Sequence, residues 1–249
     1  MLNKIMMEHM TWLEIEKALK EGFKTVIICG GAVEQHGPYL PLFTDARIGE
    51  ALMEQVALLL DKTLVAPIIR PGLSKHHMIF PGTITLREET YRAILRDYII
   101  SLKSHGFNKF ILLSTHGGNF EETAKFAKEI EMEFSDVKIS TPLESSHEIF
   151  RICFNIAEEL GVEGKKAGAH AGWFETSQMM SITPDLVNQE VEYESGYTGP
   201  INGSVMRKGL KNITPNGIMG DPRGSTADVG RIINEKLAKA IFERIKSVK

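Results

Sequence analysis

The sequence predicts an α/β protein built on a mostly parallel sheet. Short apolar runs at 25–29, 63–69, 109–114 and 136–141 alternate with stretches of a dozen or more residues at helical apolar spacing. That alternation is the mark of βαβ units. In addition, the residues able to carry chemistry cluster just past two of these runs, where open α/β sheets place their ligands.

The first helix is predicted over 11–21, with Thr11 as N-cap, Glu14 closing a capping box and Gly22 ending it. The strand Val26, Ile27, Ile28, Cys29 stops at Gly30 and Gly31, and a loop stiffened by Pro38 and Pro41 runs to Asp45. A helix over 46–60 follows from Ile48, Ala51, Leu52, Val56 and Leu59, and Asp45 fits its cap. Pro67 near the end of strand 63–69 points to an edge or a bulge. A helix from Thr83 or Thr85 to about 105 ends at Gly106. Strand 109–114 then leads through Asn119, a fitting cap, into helix 120–134 and strand 136–141. Beyond lie helix 148–160, the small-residue stretch AGAHAGWFETS at 167–177, a short helix over 177–180 and a long irregular part over 184–223. The last helix is expected over 226–247, capped by Ser225 with Asp228 at its third position.

A chain of 249 residues with 43% apolar content fits one domain, 1–249. The net charge of -3 and the lack of a basic stretch speak against nucleic acid. No run approaches the ~18 apolar residues of a membrane span. Glu8, His9 and Glu14 leave no room for a signal peptide at the start. Cys29 and Cys153 read as reduced core residues, so a cytoplasmic location is expected.

The chemistry centres on Glu34, His36 and Asp45 beyond the first strand, and on His116 beyond the third. Gly117 and Gly118 allow a ligand close to the backbone there. Glu175 and His170 lie in the small-residue stretch, and His76 and His77 fall in a loop that can line the pocket. Three carboxylates and two imidazoles, from Glu34, His36, Asp45, His116 and Glu175, suit Zn²⁺, Mn²⁺ or Fe²⁺ better than Ca²⁺ or Mg²⁺. A carboxylate such as Asp45 can bridge two ions ~3.5–4 Å apart, which is hydrolytic machinery. Neither G-x-S-x-G nor a P-loop is present, and Gly30-Gly31 lacks dinucleotide-binding spacing.

The motifs GAVEQHGPYLPLFTD at 31–45, FPGTITL at 80–86, THGGN at 115–119, HAGWFETS at 170–177 and GIMGDPRGST at 217–226 resemble those of the creatininase (creatinine amidohydrolase) family, in order along nearly the whole chain. The resemblance implies a three-layer αβα fold, a homo-oligomer (typically a hexamer) and two divalent metal ions per subunit. It implies hydrolysis of a non-peptide carbon–nitrogen bond in a small cyclic or linear amide. Glu34, Asp45 and His116 would hold one ion, and His36 and Asp45 the other. Creatininase offers a second-metal glutamate at the position of Gly118, for which Glu175 is the candidate replacement. His170 corresponds to a histidine that shuttles protons, so His170 and Glu175 are the candidate catalytic pair. Gly164, Lys165, Lys166 and Ala167 stand where creatininase has a substrate-packing tryptophan, which argues against creatinine. The two lysines suit a carboxylate or a phosphate. Within the family, a deformylase acting on a 2-amino-5-formylamino-6-ribosylaminopyrimidinone 5'-phosphate is therefore the alternative.

Overall fold

Strand β1 (Thr25–Gly30) is buried beyond its first residue in the computed structural model, which describes residues 4–200 and 210–247. Its side chains divide by the pleat. Val26 and Ile28 enter one core with Ala18, Tyr91, Leu95 and Phe126. Ile27 and Cys29 enter another with Leu52, Val56, Trp173 and Leu237. Each buried isoleucine contributes about 1.5–3 kcal/mol, so a strand apolar on both sides is stable only between two helical layers. One layer holds α1 (Trp12–Lys20), α3 (Glu88–Ser104) and α4 (Phe120–Glu133). The other holds α2 (Thr44–Leu59), α5 (Ser146–Glu159), α7 (Trp173–Ile182) and α9 (Ala227–Ser247). The short helices α6 (Gly164–Ala167) and α8 (Leu210–Ile213) lie in the connections.

The sheet is parallel throughout its described strands, in the order β2 (Thr63–Val65), β1, β3 (Lys109–Ser114), β4 (Lys138–Ser140). The chain leaves β1 toward β2 on one side, then crosses back to β3 on the other. The carboxyl ends of β1 and β3 therefore flank a topological switch point, the usual crevice of a doubly wound sheet. Glu34 and His116 follow these two ends.

Several elements depart from the sequence expectations. The Thr11–Glu14 capping box forms, with Glu14 N donating to Thr11 Oγ1 and Thr11 N to the Glu14 carboxylate. Asp45 is not the cap of α2. It lies inside the first turn, behind Phe43, because its carboxylate faces histidines rather than the helix amides. Pro67, lacking an N–H, breaks the second strand after Val65, and pairing resumes where Ile69 N donates to Cys29 O. Helix α3 starts only at Glu88, since Ile84 N and Leu86 N are spent on Val33 O and Gly72 O. Asn119 caps nothing. Fully buried, it accepts from Leu73 N at 2.9 Å and donates to Gly31 O at 3.0 Å, tying the two strand exits together. Val229 N donates to Thr226 Oγ1, so Thr226 and not Ser225 caps α9. Cys29 and Cys153 are both free and buried. Among the described residues no helix is long and apolar enough to cross a membrane.

Candidate metal centre

Glycines set the approach of the two strand exits. A Cβ at Gly31 would stand 2.7 Å from Ala46 Cα, so only glycine lets the start of α2 close over the end of β1. The loop between them is pinned by Glu34 N donating to Leu42 O at 2.8 Å, and Thr115 Oγ1 anchors Asp45 O at 2.7 Å. Glu34, His36, Asp45 and His116 are thereby all buried at one point.

The imidazoles are oriented by main-chain carbonyls. His36 Nδ1 donates to Glu34 O at 3.1 Å, which leaves Nε2 facing Asp45 Oδ1 at 3.3 Å and Glu175 Oε2 at 3.9 Å. His116 Nε2 donates to Leu73 O at 3.2 Å, which leaves Nδ1 3.3 Å from both Glu34 Oε1 and Asp45 Oδ2. In the neutral rings these two nitrogens carry lone pairs and converge on carboxylate oxygens that also carry only lone pairs, so that either protons or a cation must join them. His36 Nε2, Glu34 Oε2 and Asp45 Oδ2 are buried without a hydrogen-bond partner. Buried groups of this kind are costly unless a cation joins them.

Among the described residues four groups bring their ligand atoms within 4.8 Å of one another: Glu34, His76 and His77; Glu34, His36 and His170; and two made wholly of the expected ligands, Glu34, Asp45 and His116, and His36, Asp45 and Glu175. Asp45 belongs to both of the latter. The electrostatics show the same pull on positive charge. Burial opposes protonation of His36, yet the Asp45 carboxylate holds its pKa up at about 9. Burial likewise opposes the imidazolium of His116, and Glu34 and Asp45 overcome it. Burial also opposes ionisation of Asp45, but His36 and His116 hold its carboxyl well below the usual range.

Glu175 does not lie in a loop. It sits in the first turn of α7, which spans ten residues from Trp173 rather than the four expected from 177. Its Oε2 accepts from Ala171 N at 2.5 Å, an arrangement that requires Ala171 at φ 52, in the left-handed region. Burial pushes the Glu175 carboxyl up to about 7. The small residues around it serve a backbone-to-backbone contact. Met219 N donates to His170 O at 2.8 Å, and a Cβ at Gly168 would stand 2.3 Å from Met219 O. His170 is placed beside Glu34, with Nδ1 3.6 Å from Oε1 and Nε2 2.7 Å from Gln35 O. Burial, followed by the nearby His36, lowers its pKa to about 3.

Of the remaining sequence candidates, His77 is buried against Glu34, with Nε2 3.3 Å from Oε1, and His76 is exposed with its ring stacked on His116. Gly118 leaves no room for a side chain, because a Cβ would meet Leu73 O at 2.5 Å and His116 Nε2 at 2.6 Å. Lys165 pairs with Glu163 and lines an outer groove rather than the centre. Sequence reading missed Gln35, which hydrogen-bonds within this cluster, and nothing marked it except its place between two candidate ligands.

A small cavity of about 80 Å³ reaches Glu34, Asp45, His116, His170 and Glu175. A second of about 250 Å³ opens from Glu34, His116 and His170 toward His76 and His77. Phe150 and Ala169 line both, and they also line an outer groove of about 620 Å³ bounded by Phe154, Gly164 and Tyr197.

The sequence profile of the family described as Creatininase: Creatinine amidohydrolase matches residues 8–245, and the chain belongs to that family. It is 32% identical over 232 residues to the mycofactocin precursor peptide peptidase of Mycolicibacterium smegmatis, covering 89% of this chain and 84% of the relative. It is 26% identical over 200 residues to the creatinine amidohydrolase of Pseudomonas putida, covering 76% and 75%. A solved creatininase superposes with a TM-score of 0.79 at 23% identity over 98% of this chain and 97% of the other, which shows the shared three-layer fold. As a member of this family the chain is a hydrolase.

Proposed function

We propose that this chain hydrolyses an amide carbon–nitrogen bond with two divalent ions, of Zn, Mn or Fe, held by Glu34, Asp45 and His116 and by His36, Asp45 and Glu175. One observation carries the reading: two donor sets share Asp45, and within them His36 Nε2, Glu34 Oε2 and Asp45 Oδ2 are buried with no hydrogen-bond partner. Bound there, such ions supply Lewis acidity toward a carbonyl oxygen and acidify water. The chain's own residues do the rest. His170, held neutral by burial, offers its Nδ1 lone pair beside Glu34. Glu175, whose Oε2 already accepts from Ala171 N, is the second proton carrier. Between them they take the proton of the attacking water and return it to the leaving nitrogen. Asn119 takes no part, its side chain being spent on Gly31 and Leu73.

For the substrate, a small non-peptide amide fits the inner cavities. A longer substrate, such as a peptide amide, is the second reading. It is supported by the groove that continues those cavities past Phe150 and by the likeness to mycofactocin precursor peptide peptidases. The phosphorylated formamide receives less support, since Lys165 is paired with Glu163. The likeness to the family supports a homo-oligomer, and no helix among the described residues is long and apolar enough to cross a membrane.

The test is ring opening of creatinine to creatine, and amine release from N-formylated amines and short unblocked peptides, by the Zn²⁺- or Mn²⁺-loaded protein. Hydrolysis of any class that 1,10-phenanthroline abolishes supports the proposal. Turnover that persists in the metal-stripped protein refutes it. Preference for peptides of three or more residues selects the longer substrate.

A further inference from the structure

Gln35 lies between two candidate ligands, yet its side chain turns away from them into a buried network. Gln35 Oε1 accepts from Gly37 N at 2.9 Å, which fixes the amide's orientation. Its Nε2 then donates twice, to Gly217 O at 3.0 Å and to His77 Nδ1 at 2.9 Å. His77 Nδ1 therefore accepts and its proton sits on Nε2, 3.3 Å from Glu34 Oε1. The main chain of the same residue acts on the other side. Gln35 O accepts from His170 Nε2 at 2.7 Å, so the bare Nδ1 of His170 faces Glu34. With both amide hydrogens already placed, the 3.0 Å approach of Gln35 Nε2 to His170 Nε2 contributes no bond. The site is built around this amide. Gly217 has φ 83, and a Cβ there would stand 1.9 Å from Gln35 Oε1, so another residue would expel the glutamine from its seat.

We infer that Gln35 is a positioning residue that sets the proton placement on two histidines at once, turning the Nε2–H of His77 toward Glu34 and leaving a bare Nδ1 on His170 beside the same carboxylate. The consequence is directional. A carboxylate that would hold an ion is oriented by an N–H beside it, and such outer partners typically account for about 10–100-fold in metal affinity. Gly217, 182 residues away in sequence, is part of the device because it holds the amide that holds His77.

This inference rests on the metal reading above, and its test separates the two. Zn²⁺ affinity of the full-length protein is measured by competition with a chromogenic chelator for wild type, Gln35→Met, His77→Phe and the double variant. Gln35→Met, of similar volume and unable to donate, is expected to weaken the tighter Zn²⁺ by about 10-fold. Adding it to His77→Phe is expected to change nothing further, because the amide acts through that ring. Gly217→Ala gives an independent route to the same loss should Gln35→Met fold poorly. In ¹⁵N-histidine-labelled protein, His77 should show an unprotonated Nδ1 that Gln35→Met removes. Additive losses, or an unchanged His77 signature in both Gln35→Met and Gly217→Ala, overturn the positioning role. If wild type binds no Zn²⁺, the metal reading fails, and the ¹⁵N signature on that same sample still decides what Gln35 does.

Discussion

The two halves of the candidate centre are built differently. Glu34, Asp45 and His116 stand on the exits of two adjacent central strands and the first turn of α2, and their side chains are almost wholly buried. Glu175, which completes the other half with His36 and Asp45, comes from α7, and its side chain keeps 21% of its exposure. It is held by one amide, from a residue in a left-handed conformation, on a segment that leans on Met219 and Gly220. The sheet-borne half is fixed by two strand exits, whereas the helix-borne half depends on α7, seated in the core by Trp173 and Phe174, together with a contact between distant loops. We therefore expect the first half to bind its ion more tightly and to tolerate change less.

The largest effect should come from the shared residue. Asp45→Ala is expected to lose both ions and to lower activity by at least about 10³-fold, more than a single hydrogen-bond donor contributes. Retention of one ion would break the bridge that joins the halves. Glu175→Gln sharpens the contrast between them. It should leave about one ion per chain and cost about 10²-fold in rate, with elemental analysis and initial rates as the readouts. Equal loss of both ions would erase the distinction.

Gly118→Glu asks whether the family glutamate can be restored to the half that Glu175 completes. The added Cβ collides with Leu73 O and His116 Nε2, so the variant should gain no ligand and lose about 1–3 kcal/mol, read as a fall in Tm. The smallest effect is Ala171→Gly, which relieves the left-handed residue beside Glu175. It should stabilise the fold by about 0.5–1 kcal/mol in urea unfolding while loosening the Glu175 anchor.

The same contrast governs what could be read from the sequence. The strands were legible because β1 and β3 sit between two helical layers and are apolar on both faces, leaving a continuous run of Val, Ile, Leu and Phe. The grouping of Glu34, His36, Asp45 and His116 followed, since a parallel sheet brings neighbouring strand exits together. Asp45 fitted both a helix cap and a metal ligand in the sequence, because caps and ligands share residue type and position, and only the fold shows that it does not cap α2. Asn119 misled in the same way, since its bonds to Gly31 and Leu73 depend on two turns far off in the chain. The true extent of α7 was hidden by Gly172, whose place against Ala167 O is a matter of packing. The part played by Gln35 needs Gly217 and His77 beside it, and no local pattern announces that meeting.

The most direct test of the two-ion centre is elemental analysis of the protein purified without chelator and reconstituted with Zn²⁺, Mn²⁺ or Fe²⁺. About two ions per chain is the result this account predicts. No bound ion under any of these conditions would contradict it outright, and a single ion would contradict the half built on His36 and Glu175.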